Sequence, residues 1–198
     1  MRPASRRRLL LTAGVAVLGG TLAVAWRWGK PPAPEVHTPA GEHAVRLLGI
    51  AALQPTDPPA VVPPAELVDA AGVVHGLGEF AGHGLVVNLW ATWCVPCVAE
   101  LPALAALARR LRGEGILVLP ASSDRGGAAA VEAFYRGHAI EGLPVWLDPK
   151  GAAAQAWGAR GIPTTLIIDR AGRERARAEG ALDWASEAAV ALIRGLVG

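Results

Sequence analysis

The chain has few of the residues that would announce a metal site or a stapled scaffold. In 198 residues there are two cysteines, one methionine, one tyrosine and two phenylalanines. Two cysteines exclude a small fold held by a disulfide framework. A zinc site needs about four ligands, and no second cysteine pair or close-set histidine pair is present; His37, His43, His75, His83 and His138 show no ligand spacing. His138, near a helix end, reads as a dipole-compensating or surface residue. Charged residues make up only 18%, below the roughly 25% usual for soluble domains. A hydrophobic fraction of 52% with mean hydropathy +0.33 excludes disorder along the whole chain. Gly126–Gly127 is too short for a phosphate loop, and Ser122–Ser123 lacks a nucleophile-elbow context. No nucleotide or metal cofactor is indicated. Lysine is nearly absent beside arginine, which we read as coding bias.

Charge is unevenly placed. Residues 1–30 hold Arg2, Arg6, Arg7, Arg8, Arg27 and Lys30 and no acid, whereas residues 31–198 hold 13 basic and 17 acidic residues, net −4. A basic nucleic-acid face on the folded part is therefore not expected. Four arginines precede Leu9–Trp26, eighteen residues without a charge. As a helix this run is about 27 Å long, marginal for a hydrocarbon core of about 30 Å. It reads either as a single-pass anchor, which we favour, or as a signal peptide cut near Ala23–Ala25, leaving a soluble periplasmic protein. Ser5–Leu10 (S-R-R-R-L-L) also resembles a twin-arginine export signal. Either way the positive flank puts everything after residue 30 in the periplasm or outside the cell.

Nine prolines fall within residues 31–65, so that block is expected to be an extended linker, with Val45–Leu53 as a short piece docking on the domain. The folded domain is then 66–198. Leu85–Ala91 and Ile116–Pro120 read as strands buried on both faces. Leu101, Leu104, Leu107 and Leu111 mark an amphipathic helix between them, ended by Gly113 and Gly115. Ala128–His138 reads as a second helix, Val145–Leu147 as extended, and Ala152–Trp157 as a short helix. Thr164–Ile168 and Arg173–Glu179 form a hairpin around Gly172, and Trp184–Leu196 closes the chain as a helix with Asp183 as candidate N-cap. This order predicts an α/β fold, a central mixed sheet with helices on both faces.

The two cysteines stand together in T-W-C-V-P-C, where a buried strand gives way to a helix. Cys94 falls at or near the N-cap, where unpaired N–H groups and the helix dipole favour a thiolate. It is the candidate nucleophile, and Cys97, one turn on and more buried, the candidate resolving thiol. Pro96 has no N–H to offer a sulfur, so the Val95–Pro96 pair tunes the couple. A disulfide closing so short a loop removes little chain entropy, so stability is a poor reason for it. A two-thiolate Cu(I) site is the binding-class alternative, because soft thiolates select that ion.

Trp90–Pro102 (W-A-T-W-C-V-P-C-V-A-E-L-P), followed by Gly161–Asp169 (G-I-P-T-T-L-I-I-D), resembles the TlpA/ResA-type thioredoxin-like thiol:disulfide oxidoreductases, over roughly residues 66–198. Ser122–Gly127 (S-S-D-R-G-G) and Glu179–Trp184 (E-G-A-L-D-W) favour the TlpA branch. The resemblance implies a thioredoxin-like fold tethered to the cytoplasmic membrane, with its domain outside. It implies a redox-active Cys94–Cys97 disulfide, and Pro163 as the cis-proline facing the sulfurs. Trp93 would shape the substrate surface, and Pro102 would kink the active-site helix. It implies protein disulfide substrates such as cytochrome oxidase or cytochrome c assembly clients, and a transmembrane electron donor; a disulfide-donating oxidase would differ only in potential. Thioredoxin has a buried aspartate six residues before its first cysteine; here that position is Asn88, which cannot take a proton. Glu100, one turn after Cys97, is the nearest candidate acid/base, with a solvated helix carboxylate as the alternative.

Overall fold

Strand β4, Gly84–Trp90 (G-L-V-V-N-L-W), is buried along its whole length. A strand with no outward polar alternation must be covered on both faces. In the computed structural model, which describes residues 48–198, β4 runs parallel to β5 (Ile116–Ser122) and antiparallel to β7 (Thr164–Ile168). Around this centre lie β1 (Gln54–Val61), β2 (Glu66–Asp69), β3 (Val74–Gly76), β6 (Trp146–Leu147) and β8 (Arg173–Glu179). The eight strands form one sheet in the order β1-β8-β7-β4-β5-β6-β2-β3. The mixed sheet agrees with the expected fold class. The N-terminal apolar run lies outside the described residues; among those described, no helix is long and apolar enough to cross a membrane.

Successive side chains of β4 go to opposite faces, and the two cores divide accordingly. Val86 and Trp90 join helices α1 (Val95–Arg110), α2 (Gly127–Gly137) and α4 (Glu187–Val197) on one side. Leu85, Val87 and Leu89 meet Ala153 and Trp157, at and just after the short helix α3 (Ala152–Ala156), with Val62 and Leu67, on the other. Helix α1 buries Cys97, Glu100, Leu101, Leu104 and Leu107, one stripe at helical spacing. Burying each of its leucines contributes about 1.5–3 kcal/mol. Gly84 is required where β4 meets the end of α4: a Cβ there would lie 2.6 Å from Val197 Cβ.

Three expectations change. The proline-rich block, expected to be a linker up to residue 65, contains an edge strand: Gln54–Val61 pairs with β8, so the folded domain begins before residue 66. An edge strand faces a ladder on one side only, so its prolines are tolerated; the register slips between Pro55 and Ala60, and Thr56 Oγ1 donates to Glu174 Oε1 at 2.8 Å. Ahead of it, Leu48 bridges to Leu182. The β2–β3 hairpin has no counterpart in the sequence expectation: Asp69 Oδ1 accepts from the N–H groups of Ala71 and Val73 and closes a turn at Gly72. Helix α4 begins at Glu187, not Trp184. Ser186, not Asp183, caps it, its Oγ accepting from Ala189 N at 3.2 Å. The Trp184 side chain is committed to the core, which holds that turn out of the helix.

Candidate active site

The turn Ala91–Trp93 carries the chain from β4 into α1. Cys94 is the N-cap of α1 in extended backbone geometry, and its Sγ accepts from Cys97 N at 3.3 Å. The sequence places it there too, from the helix start. Cys94 and Cys97 are joined as a disulfide. The two sulfurs differ in access. Cys97 is sealed, while Cys94 keeps 6% of its surface and stands between Trp93 at 70% and Val95 at 67% exposed. A sulfur at this helix end meets unpaired N–H groups and the positive end of the dipole, both of which favour negative charge.

Loops from two other elements close on the pair. Ile162–Pro163 is a cis peptide, Pro163 is buried, and the Ile162 carbonyl oxygen lies 3.7 Å from Cys94 Sγ. Gly180 N donates to Pro163 O at 2.9 Å, and Thr164 Oγ1 donates to Gly161 O at 2.7 Å, which hold that loop in place. From the end of β5, Asp124 accepts from Thr92 N at 2.8 Å, Thr92 Oγ1 at 2.7 Å and Ser122 Oγ at 2.7 Å. In the sequence S-S-D stands only as a pattern. The signal for its role is a Ser-x-Asp at the end of a buried strand, facing a threonine after the neighbouring one.

Behind Cys97 sits Glu100, fully buried, so the solvated alternative is excluded. Its Oε1 accepts from Asn88 Nδ2 at 2.8 Å; its Oε2 accepts from Leu182 N at 3.0 Å and Trp184 Nε1 at 2.9 Å. Burial pushes the Glu100 carboxyl above the usual carboxylate range, and the three donors oppose that push without cancelling it. The carboxylate thereby joins α1 to β4 and to the β8–α4 connection. Asn88 Nδ2 donates also to Thr165 Oγ1 at 2.9 Å. The structure thus gathers Cys94, Cys97, Trp93, Pro96, Pro163 and Glu100 about one helix end, and adds Asp124, Thr92, Asn88 and Trp184.

The Redoxin family model matches residues 56–192, which take in this whole site. The chain belongs to the Redoxin family. Among named relatives of this Redoxin chain, thiol-disulfide oxidoreductase ResA of Bacillus cereus is 29% identical over 107 residues, 54% of this chain and 61% of that protein. The thiol:disulfide interchange protein DsbE homolog of Paracoccus denitrificans is 39% identical over 97 residues, 49% of this chain and 51% of that one. The chain therefore spans less than two thirds of these relatives. The crystal structure of the pneumococcal exposed lipoprotein thioredoxin of Streptococcus pneumoniae superposes with a TM-score of 0.53 at 26% identity, covering 67% of this chain and 99% of that one. These matches uphold the ResA/TlpA-type resemblance and the thioredoxin-like fold.

Proposed function

We propose that this Redoxin chain is a thiol:disulfide interchange protein of the extracytoplasmic face that reduces disulfides in protein substrates. The asymmetry of the Cys94–Cys97 pair carries the reading: one sulfur at a helix N-terminus beside exposed Trp93 and Val95, the other sealed. In the reduced protein the Cys94 thiolate attacks a substrate disulfide, forming a mixed disulfide and expelling one substrate thiolate, which takes up a proton. Cys97, losing its proton, then attacks Cys94 Sγ. The second substrate thiol leaves, and the Cys94–Cys97 bond is restored. Two electrons pass to the substrate. Pro163 and Trp93 frame the approach to Cys94, Pro96 withholds an N–H from the sulfurs, and Glu100 sets the charge behind Cys97.

The basic flank before Leu9–Trp26 supports a membrane tether with the domain outside. In an oxidising compartment the dithiol needs recharging, which a transmembrane electron carrier would supply. Apocytochrome or cytochrome oxidase assembly thiols are clients of the kind the resemblance suggests.

The test is reduction of a disulfide-bonded protein by the full chain. Cys94→Ser should abolish exchange, and Cys97→Ser should accumulate mixed disulfides through Cys94. A Cys97→Ser protein that captures nothing overturns the mechanism. The potential of the pair decides direction: about −200 mV or below supports a reductant, and about −120 mV an oxidant.

A further inference from the structure

Asn88 is fully buried, and its Oδ1 has no hydrogen-bond partner among the described residues. Its amide orientation is set by its neighbours, because Nδ2 faces the Glu100 carboxylate and a carboxylate requires a donor. An orphaned buried carbonyl is costly, so a state of the protein that supplies it a donor is favoured by that amount. Asn88 falls between Val86 and Trp90 in the alternation of β4 and shares their face, the side on which α1 packs. Cys97 is fully buried on that same stripe of α1, one turn before Glu100. In the disulfide Cys97 carries no proton and offers Asn88 nothing. Reduction by a dithiol breaks the S–S bond with two electrons and two protons, and leaves Cys97 as a buried thiol in need of an acceptor.

We propose that Asn88 Oδ1 is the acceptor for the Cys97 S–H of the reduced protein. Asn88 then bridges that thiol to the Glu100 carboxylate. The proton stays on Cys97 Sγ; the amide accepts a hydrogen bond, not the proton. A carboxylate drawing on Nδ2 polarises the amide and makes Oδ1 a better acceptor. The idea rests on the redox reading of the pair. It gives the residue at the thioredoxin aspartate position a task that needs no titration: stabilising the resolving cysteine as a thiol until it attacks.

In the full-length Cys94→Ser protein Cys97 is the sole thiol, so its S–H stretch can be read by infrared spectroscopy. The expected band lies at a hydrogen-bonded frequency and moves to the free position in Cys94→Ser/Asn88→Ala. A band already at the free position, or one that Asn88→Ala does not move, overturns the proposal; the latter result would assign the acceptor to a water. Should the double variant not fold, the unsubstituted chain suffices. The Asn88 Cγ resonance should shift downfield on reduction, and an unchanged resonance overturns the proposal. Against thiol buffers, Asn88→Ala should disfavour the reduced form about fivefold, the weight of one hydrogen bond. That is about 20 mV more negative, and it should persist in a Glu100→Gln background, where the contribution through the carboxylate cancels. Failure of the unsubstituted chain to reduce a protein disulfide would overturn the functional reading and leave these spectroscopic results to stand or fall alone.

Discussion

Thr92 gives both of its donors, the backbone N–H at 2.8 Å and the hydroxyl at 2.7 Å, to the two carboxylate oxygens of Asp124. Through that pair the turn two residues before Cys94 is fastened to the loop that leaves β5.

Asp124→Ala should therefore loosen the turn before Cys94 as well as the fold. Removing the acceptor of one charge-assisted hydrogen bond of this kind costs about 1.5–3 kcal/mol. The losses do not add in full where the freed donors are part-exposed and can turn to water. We expect a stability loss of about 2–3 kcal/mol by urea denaturation, together with slower attack by Cys94 in stopped-flow exchange. Asn at this position keeps two acceptor lone pairs and should lie between the two. Unchanged exchange kinetics in Asp124→Ala would show that the clamp serves stability only.

Glu100 governs a pH dependence. Its folded-state carboxyl titrates above the ordinary range because of burial. A group raised on folding contributes stability below its unfolded value, near 4.3 for glutamate, and that contribution is lost as pH rises through the folded value. Urea midpoints of the unsubstituted protein should carry this declining component on the alkaline side of about pH 4.3. In Glu100→Gln it should vanish, at the cost of mismatching three donors against an amide. An identical pH profile in the two proteins would contradict the assignment.

His75 presents a second case with a different cause. Its Nδ1 lies 2.9 Å from Glu79 Oε2 and its Nε2 3.2 Å from Asp69 Oδ2. Both ring nitrogens can donate to carboxylates only when the ring is protonated. The bonds to Glu79 first, then to Asp69, raise its titration above the ordinary histidine value. The contribution is full below about pH 6.5 and is lost as pH rises through the folded value. Nuclear magnetic resonance titration of His75 should find its midpoint above about 6.5, and the protection factors of the β2–β3 hairpin amides, corrected for the intrinsic base-catalysed rate, should fall on the alkaline side.

Trp93 is the place to test recognition apart from stability. With 70% of its surface exposed, it contributes little packing. Trp93→Ala should stay within about 0.5 kcal/mol of the parent in denaturation. Its kcat/KM toward a protein disulfide should fall several-fold, with a smaller effect on a low-molecular-weight disulfide. Equal losses on both substrates would argue against a docking role.

The central strands are legible as short continuous apolar runs bounded by turn residues, the hairpin of β7 and β8 by such a run followed by a turn at Gly172, and the helix after T-W-C because its leucines repeat at the helical period. Edge strand β1 is not, because its prolines speak for an extended chain, and only β8 beside it supplies a ladder. Asp183 is as good a local cap as Ser186. What displaces it is Trp184, whose indole reaches the buried Glu100, a contact spanning 84 residues. Glu100 itself is poised between a solvated and a buried role in the sequence, since one helix turn does not say what packs against it.

Residue type and short spacing were enough to specify the dithiol, its place at a strand-to-helix junction and the alternation that builds the sheet. They placed Cys97 as the more buried sulfur, but could not specify that Asp124 holds the turn before Cys94, or that Asn88, Leu182 and Trp184 converge on Glu100. Those depend on burial and on contacts between distant segments, which arise only when the chain has packed and which no local pattern encodes.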